Sequence, residues 1–337
     1  MNIGIVGCGF VAKFNVDAWR RLGAKVTALC DINPESLNKA KKMFGVENGY
    51  LSYKDMLRHE SLDAISVCTI PSTHAEIAVA ALDAGCLVAV EKPFAVNSKE
   101  AEVFRHNKKI MVFHNQIYED KYYTLTSYFR KNKVQVKHVD VSLMATVNES
   151  MTANLKHWAY NMNGGRIAEC MPHPIYTAQF FLGNNVTVEN VFATRFSDRP
   201  TYNELTAFIK SPLGTAMLHV KLDAAKDTNS IMAYSDKAVF MAGLNPSFIG
   251  AYHYPNMGIP KLKKNKSFNR KLLAVKKYVS PALHYGGSFI PKLKGGYFFS
   301  SRYLMLKELL AGNPFADGEH AFNNIRIEEE IISRLEK

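Results

Sequence analysis

Three short stretches carry the reactive and ligand-holding side chains of this 337-residue chain. The first, Gly7-Cys8-Gly9-Phe10-Val11-Ala12, has the Gly-x-Gly-x-x-Ala spacing of a turn that lets backbone amides approach a pyrophosphate, with Asp31 about 20 residues further on. Gly7 permits a tight turn, Gly9 a close approach to phosphate, and Ala12 close packing of the following helix. A carboxylate at Asp31 can accept hydrogen bonds from ribose hydroxyls and repels a 2'-phosphate, so NAD is favoured over NADP. The second stretch is Glu91-Lys92-Pro93. Lys92 can bind a substrate hydroxyl or a ribose, with Glu91 orienting it; a local surface ion pair is the other reading. The third is Glu169 to His173, four residues apart and on one face if the segment is helical. A neutral imidazole can take a proton from an alcohol as hydride leaves its carbon, and Glu169 can orient the ring. Pro172 and Pro174 argue against an unbroken helix there.

The elements that must position these groups follow from periodicity. Asn2–Val6 reads as a buried strand, the run to Leu22 as a helix stopped by Gly23, and Val26–Cys30 as a second strand. Further strands at Ala64–Thr69, Leu87–Val90 and Ile110–His114 alternate with helices at Pro34–Phe44, Ser52–His59, Ala75–Ala84 and Glu100–Lys108. The loop Ile70-Pro71-Ser72-Thr73-His74 leaves the C-terminal end of a strand, where an open parallel sheet puts ligands. Pro71 and His74 therefore border the dinucleotide, although His74 can equally cap or pack its helix. From Val134 the pattern turns to long alternating strands joined by short turns such as Ser211-Pro212-Leu213-Gly214. That pattern predicts a largely antiparallel sheet with helices on one face. The expected domains are 1–118, binding the dinucleotide, and 119–337, binding substrate, with an excursion over 242–296. The closing helices Ser300–Leu310 and Gly318–Leu335 are expected to cover the second sheet.

Composition narrows the classes. The apolar fraction is 47 %, and no uninterrupted apolar run reaches the roughly 18 residues of a spanning helix. The first strand begins at once after Met1, so a cytoplasmic protein is expected. The five cysteines are an odd, unpaired set without a Cys-x-x-Cys pair, and no metal site is read. The formal net charge is +12. Ten of the basic side chains lie between Lys261 and Lys294, where there is no acidic one, so the remainder is near neutral. A solvated surface segment, an anionic substrate such as a nucleotide sugar, or a peripheral contact with a membrane or anionic glycan would each account for it. Specific nucleic-acid binding is not expected, because no reader motif accompanies the charge.

The glycine turn, the Pro71-Ser72-Thr73-His74 loop, Glu91-Lys92-Pro93, and Gly164-Gly165 followed by Glu169 and His173 together resemble the glucose-fructose oxidoreductase, inositol dehydrogenase and MocA-like family. The resemblance implies an α/β Rossmann domain that binds NAD or NADP, followed by an α+β domain with a large, predominantly antiparallel open sheet often used for homo-oligomerisation. It implies hydride transfer at a hydroxyl-bearing carbon of a sugar, polyol or nucleotide sugar. Lys92 then corresponds to the family's catalytic lysine and His173 to its acid/base. Glu169 stands where an aspartate is common, Met171 for a frequent glycine and Tyr176 for an aspartate. The segment after Phe113, where many relatives are arginine-rich, presents His114, Asn115 and Gln116 to substrate. A redox-neutral lyase, epimerase or glycosidase working through transient oxidation, or a non-catalytic NAD-binding regulator, would use the same residues.

Overall fold

The computed structural model describes residues 1–195, 200–236, 238–253 and 298–335. Two units emerge, one of residues 1–118 with 298–329 and one of residues 119–253 with 330–335. In the first, strands β1 (Asn2–Val6), β2 (Lys25–Cys30), β3 (Asn48–Tyr50), β4 (Ala64–Val67), β5 (Leu87–Val90) and β6 (Ile110–Val112) form a parallel sheet in the order β3-β2-β1-β4-β5-β6. Helices cover a parallel sheet on both faces, so its strands are continuous apolar runs. Ile3, Ile5, Ile65, Val67, Val88 and Val90 are fully buried.

The register sets the site. Val6 pairs with Cys30 and with Val67, Val67 with Val90, and Val90 with Val112. The residues that follow, Gly7, Asp31, Cys68, Glu91 and Phe113, therefore leave the sheet in one row at its C-terminal edge. The strand order reverses between β1 and β4, which is where such a sheet opens a crevice. The helix Ala12–Arg21 is fastened behind this row by Trp19, whose buried Nε1 donates to Ser66 Oγ at 2.8 Å.

Two expectations about this unit are corrected. In place of a helix over Glu100–Lys108 there is one turn, Ser98–Ala101, and a 3-10 turn, Glu102–Phe104. Gly318 packs directly on the Phe104 carbonyl there; a Cβ on it would stand 1.8 Å from that oxygen. The helix Phe298–Leu310 was expected over the second sheet but belongs to the first unit, packing on Ala12–Arg21 and on the 3-10 turn Asn115–Tyr118. Tyr118 donates its hydroxyl to Glu308 there.

In the second unit, strands β7 (His138–Thr146), β8 (Thr187–Thr194), β9 (Glu204–Ser211), β10 (Gly214–Ala224), β11 (Thr228–Tyr234), β12 (Ala238–Asn245) and β13 (Ser247–His253) form a sheet in the order β13-β12-β11-β7-β10-β9-β8. All pairs are antiparallel except the central β7 with β10. The helices Asp120–Asn132 and Pro172–Leu182 pack on this sheet. Residues 242–253, expected to open an irregular excursion, instead complete β12 and form β13; the basic stretch 261–294 lies outside the described residues. Among the described residues no helix is long and apolar enough to cross a membrane.

Candidate functional site

The turn after β1 is built by backbone. Gly7 has φ +91°, and a Cβ on it would meet the Cys68 carbonyl carbon and oxygen at 2.6 Å, so only glycine fits. Gly9 faces open space, with nothing within 4 Å of a Cβ built on it. Side chains cap the neighbouring helices: Asn33 accepts from the Glu35 and Ser36 amides, and Ser52 from the Asp55 amide. The Ala12–Arg21 helix has no side-chain cap. The Ala12 and Phe14 amides of its first turn bond the Gly9 and Val11 carbonyls, and the positive end of its dipole faces the turn, where an anion would be favoured. Ala12 is fully buried, Val11 is half-buried, and Phe10 is 74 % exposed at the tip, edge-on to Phe14.

Asp31 closes the turn from the end of β2. Its Oδ2 accepts from the Cys8 amide at 2.7 Å and its Oδ1 from the Asn33 amide at 2.8 Å. A carboxylate has about four lone-pair sites, so both oxygens keep capacity for ribose hydroxyls. Burial and then the Asp31 charge push the Cys8 and Cys30 thiols up to about 12, which keeps them protonated. The residues present fit a dinucleotide.

The adjoining exits hold two surprises. His74 is 1 % exposed, its Nδ1 facing the Pro93 carbonyl at 2.8 Å and its Nε2 the Thr69 carbonyl at 3.0 Å. Burial pushes its pKa down against the pull of those carbonyls. Of its two readings, a border to the dinucleotide or a packing residue, these contacts fit the second: His74 fastens the Pro71–Thr73 turn to the chain after β5. Glu91 was expected to contact the cofactor or orient Lys92, with a local surface ion pair as the other reading. It is instead 7 % exposed, and its Oε1 accepts from Arg302 Nη2 at 2.7 Å, Arg302 Nε at 3.2 Å and Asn15 Nδ2 at 3.1 Å. Lys92 follows it, half-buried, at a cis peptide bond to Pro93. His114 and Asn115 are buried, His114 edge-on to His320; Gln116 is half-buried.

In the second unit the Glu169–His173 stretch is two helices, Gly165–Cys170 and Pro172–Leu182, meeting at Met171. Pro172 can start a helix but cannot continue one, so the four-residue spacing crosses a junction. Glu169 is buried and takes a hydrogen bond from Arg166 Nη1, which also reaches Cys170 Sγ at 2.6 Å. Arg166 Nη2 donates to Glu149 at 3.3 Å. Burial pushes the Glu149 carboxyl up, but the Met151 and Thr152 amides, the Thr152 hydroxyl and Arg166 together outweigh it and hold it at about 2. The imidazole of His173 meets a different partner from the one expected: Nδ1 lies 2.6 Å from the hydroxyl of fully buried Tyr176.

Asn15, Glu149, Arg166 and Arg302 were not singled out from the sequence. One signal existed for Arg302. It stands at i, i+3, i+4 and i+7 with Met305, Leu306 and Leu309, all buried, so a charge occupies the apolar face and demands a buried partner.

Residues 1–110 match the family model described as "Oxidoreductase family, NAD-binding Rossmann fold". D-apiose dehydrogenase of Paraburkholderia graminis is 36 % identical over 98 residues, 29 % of this chain and 26 % of that protein. Myo-inositol 2-dehydrogenase of Thermotoga maritima is 24 % identical over 199 residues, 57 % of this chain and 58 % of that protein. The chain thus spans about a quarter to three fifths of the curated relatives it matches. The structure of the WlbA dehydrogenase from Bordetella pertussis, in complex with NADH and UDP-GlcNAcA, aligns over 99 % of this chain and 96 % of its own, with a TM-score of 0.71 at 16 % identity. That likeness concerns the fold. The family match thus concerns residues 1–110, the part of the chain that carries the parallel sheet and the glycine turn.

Proposed function

We propose that the protein is an NAD-dependent oxidoreductase acting at a hydroxyl-bearing carbon of a sugar, polyol or nucleotide sugar. The observation that carries this reading is the row of chain exits at the sheet edge, with an uncapped helix, open space at Gly9 and the Asp31 carboxylate beside it. Relatives named for D-apiose and myo-inositol, and a similar fold that holds NADH with UDP-GlcNAcA, support the substrate class. The bound dinucleotide supplies the hydride acceptor or donor. The turn at Gly7–Ala12 holds the pyrophosphate and Asp31 the adenosine ribose. Lys92 binds the reacting oxygen and helps carry its proton. His173, whose Nδ1 faces the Tyr176 hydroxyl, is the acid/base that exchanges that proton.

A panel of sugars, polyols and UDP-sugars, followed by NADH absorbance and by product mass, tests the assignment. Turnover on at least one compound, abolished in Lys92→Met, is expected; full turnover by that variant would remove Lys92 from the mechanism. Product formed without net NADH would place the protein among redox-neutral enzymes.

The same reading includes a second copy of the chain. Cross-strand register puts Phe208, Met217, Asp140, Met232, Met241 and Gly250 side by side on one sheet face. Phe192, Phe248 and Tyr252, which share that face by strand alternation, are 69 %, 40 % and 51 % exposed. The exposed aromatic and methionine side chains on this mixed face offer an association surface. Light scattering should give a mass above the monomer, and Phe208→Lys with Met217→Lys should lower it; a monomeric wild type would reject this.

A further inference from the structure

We infer that Arg302 is a positioning residue for Lys92, gripping Glu91 so that the exit of β5 is fixed relative to the dinucleotide turn; this rests on the role given to Lys92 above. One guanidinium gathers three pieces of the site. It donates twice to Glu91 Oε1, at 2.7 and 3.2 Å, and that oxygen also takes the amide of Asn15 from the helix behind the glycine turn. It lies 5.5 Å from the ring centroid of Phe14 on that helix and 5.2 Å from that of Phe113 at the exit of β6. Arg302 is 2 % exposed, Glu91 7 % and Asn15 0 %.

Burying such a pair costs desolvation, and apolar replacements of the same volume are often as stable or more so, so stability alone does not account for it. Geometry does. Glu91 is still tied to the sheet, its amide donating to the Val67 carbonyl at 2.9 Å, and it directly precedes Lys92. Anchoring the Glu91 carboxylate therefore fixes the backbone from which Lys92 leaves. A planar fork stacked on two rings can hold that carboxylate in one orientation, which a lysine in its place cannot.

The test compares full-length wild type, Arg302→Lys, and the double variant Glu91→Gln with Arg302→Met, which removes both charges. Reductive methylation at fixed pH, read by peptide mass spectrometry, gives the modification rate of Lys92 relative to exposed Lys39; thermal midpoints and NADH affinity are measured alongside. The double variant should melt within about 3 °C of wild type, while its relative Lys92 rate shifts by about threefold or more. Arg302→Lys, which keeps the charge and therefore guards against misfolding, should show the same shift. Unchanged Lys92 rates in the folded variants would reduce Arg302 to a packing role and overturn the inference. Failure of wild type to bind NADH would instead overturn the cofactor assignment, and the Lys92 comparison would still decide the role of Arg302.

Discussion

Two glycine-bearing turns, one in each unit, are built on opposite principles. At Gly7 the neighbour that excludes a side chain is backbone, the Cys68 carbonyl at 2.6 Å. At Gly164 and Gly165, with φ of +78° and +67°, the nearest atoms belong to the side chains of Ile332 and Thr201. At the first turn, main-chain geometry is what excludes a side chain. The second depends on which side chains meet: Arg166 with Glu149 and Glu169, and His173 with Tyr176. A backbone-built site can be recognised from spacing, whereas one built from side-chain pairs can be chosen only once the pairs are seen.

The largest effect expected concerns chemistry that neither turn supplies by itself. Lys92→Met should lower turnover by about 10²- to 10⁴-fold and leave NADH affinity within a few-fold, as measured by steady-state kinetics beside a fluorescence titration. Equal losses in both would make Lys92 a binding residue. Next, Gly7→Ala must place a side chain at positive φ against backbone, a strain of about 1–3 kcal/mol before the clash, and should lower both thermal midpoint and NADH affinity. Gly9→Ala sharpens the contrast. Nothing within 4 Å opposes its methyl group, so it should melt like wild type and still bind NADH less tightly. Undiminished affinity would mean that no phosphate approaches there.

Much of the first unit was legible for this reason. The strand, Gly7 turn, helix and Asp31 follow from the sequence, as does the place of Lys92 just after β5. What escaped were long-range partners: Arg302 lies 211 residues from Glu91, and no local pattern announces that His74 will face the carbonyls of Thr69 and Pro93. In the second unit the alternating strands were legible and the register was not. The parallel pairing of β7 with β10 joins segments far apart in the chain, and Glu169 met Arg166 because one helix turn lies between them.

The side-chain network of the second unit predicts two smaller effects. The Glu149 carboxyl is held at about 2, below its ordinary 4.5, so its contribution to stability is complete above about pH 4.5 and is lost as pH falls toward 2. Glu149→Gln should therefore lower the thermal midpoint at pH 7, by the equivalent of about 1–2 kcal/mol, and the gap to wild type should close by pH 2 to 3. A gap that persists there would trace the effect to packing. Tyr176→Phe removes the hydroxyl at His173 Nδ1, a hydrogen bond worth about 1 kcal/mol. Turnover should fall a few-fold with NADH affinity unchanged; an unaltered rate would leave the orientation of His173 to other contacts.

The central claim, that the row of exits beginning at Gly7 and Asp31 holds NAD, is tested most directly by titrating the full-length protein with NADH and with NADPH under the same conditions. Saturable binding of NADH, weakened for NADPH by the Asp31 carboxylate, is the predicted result. Binding of neither dinucleotide would contradict the account.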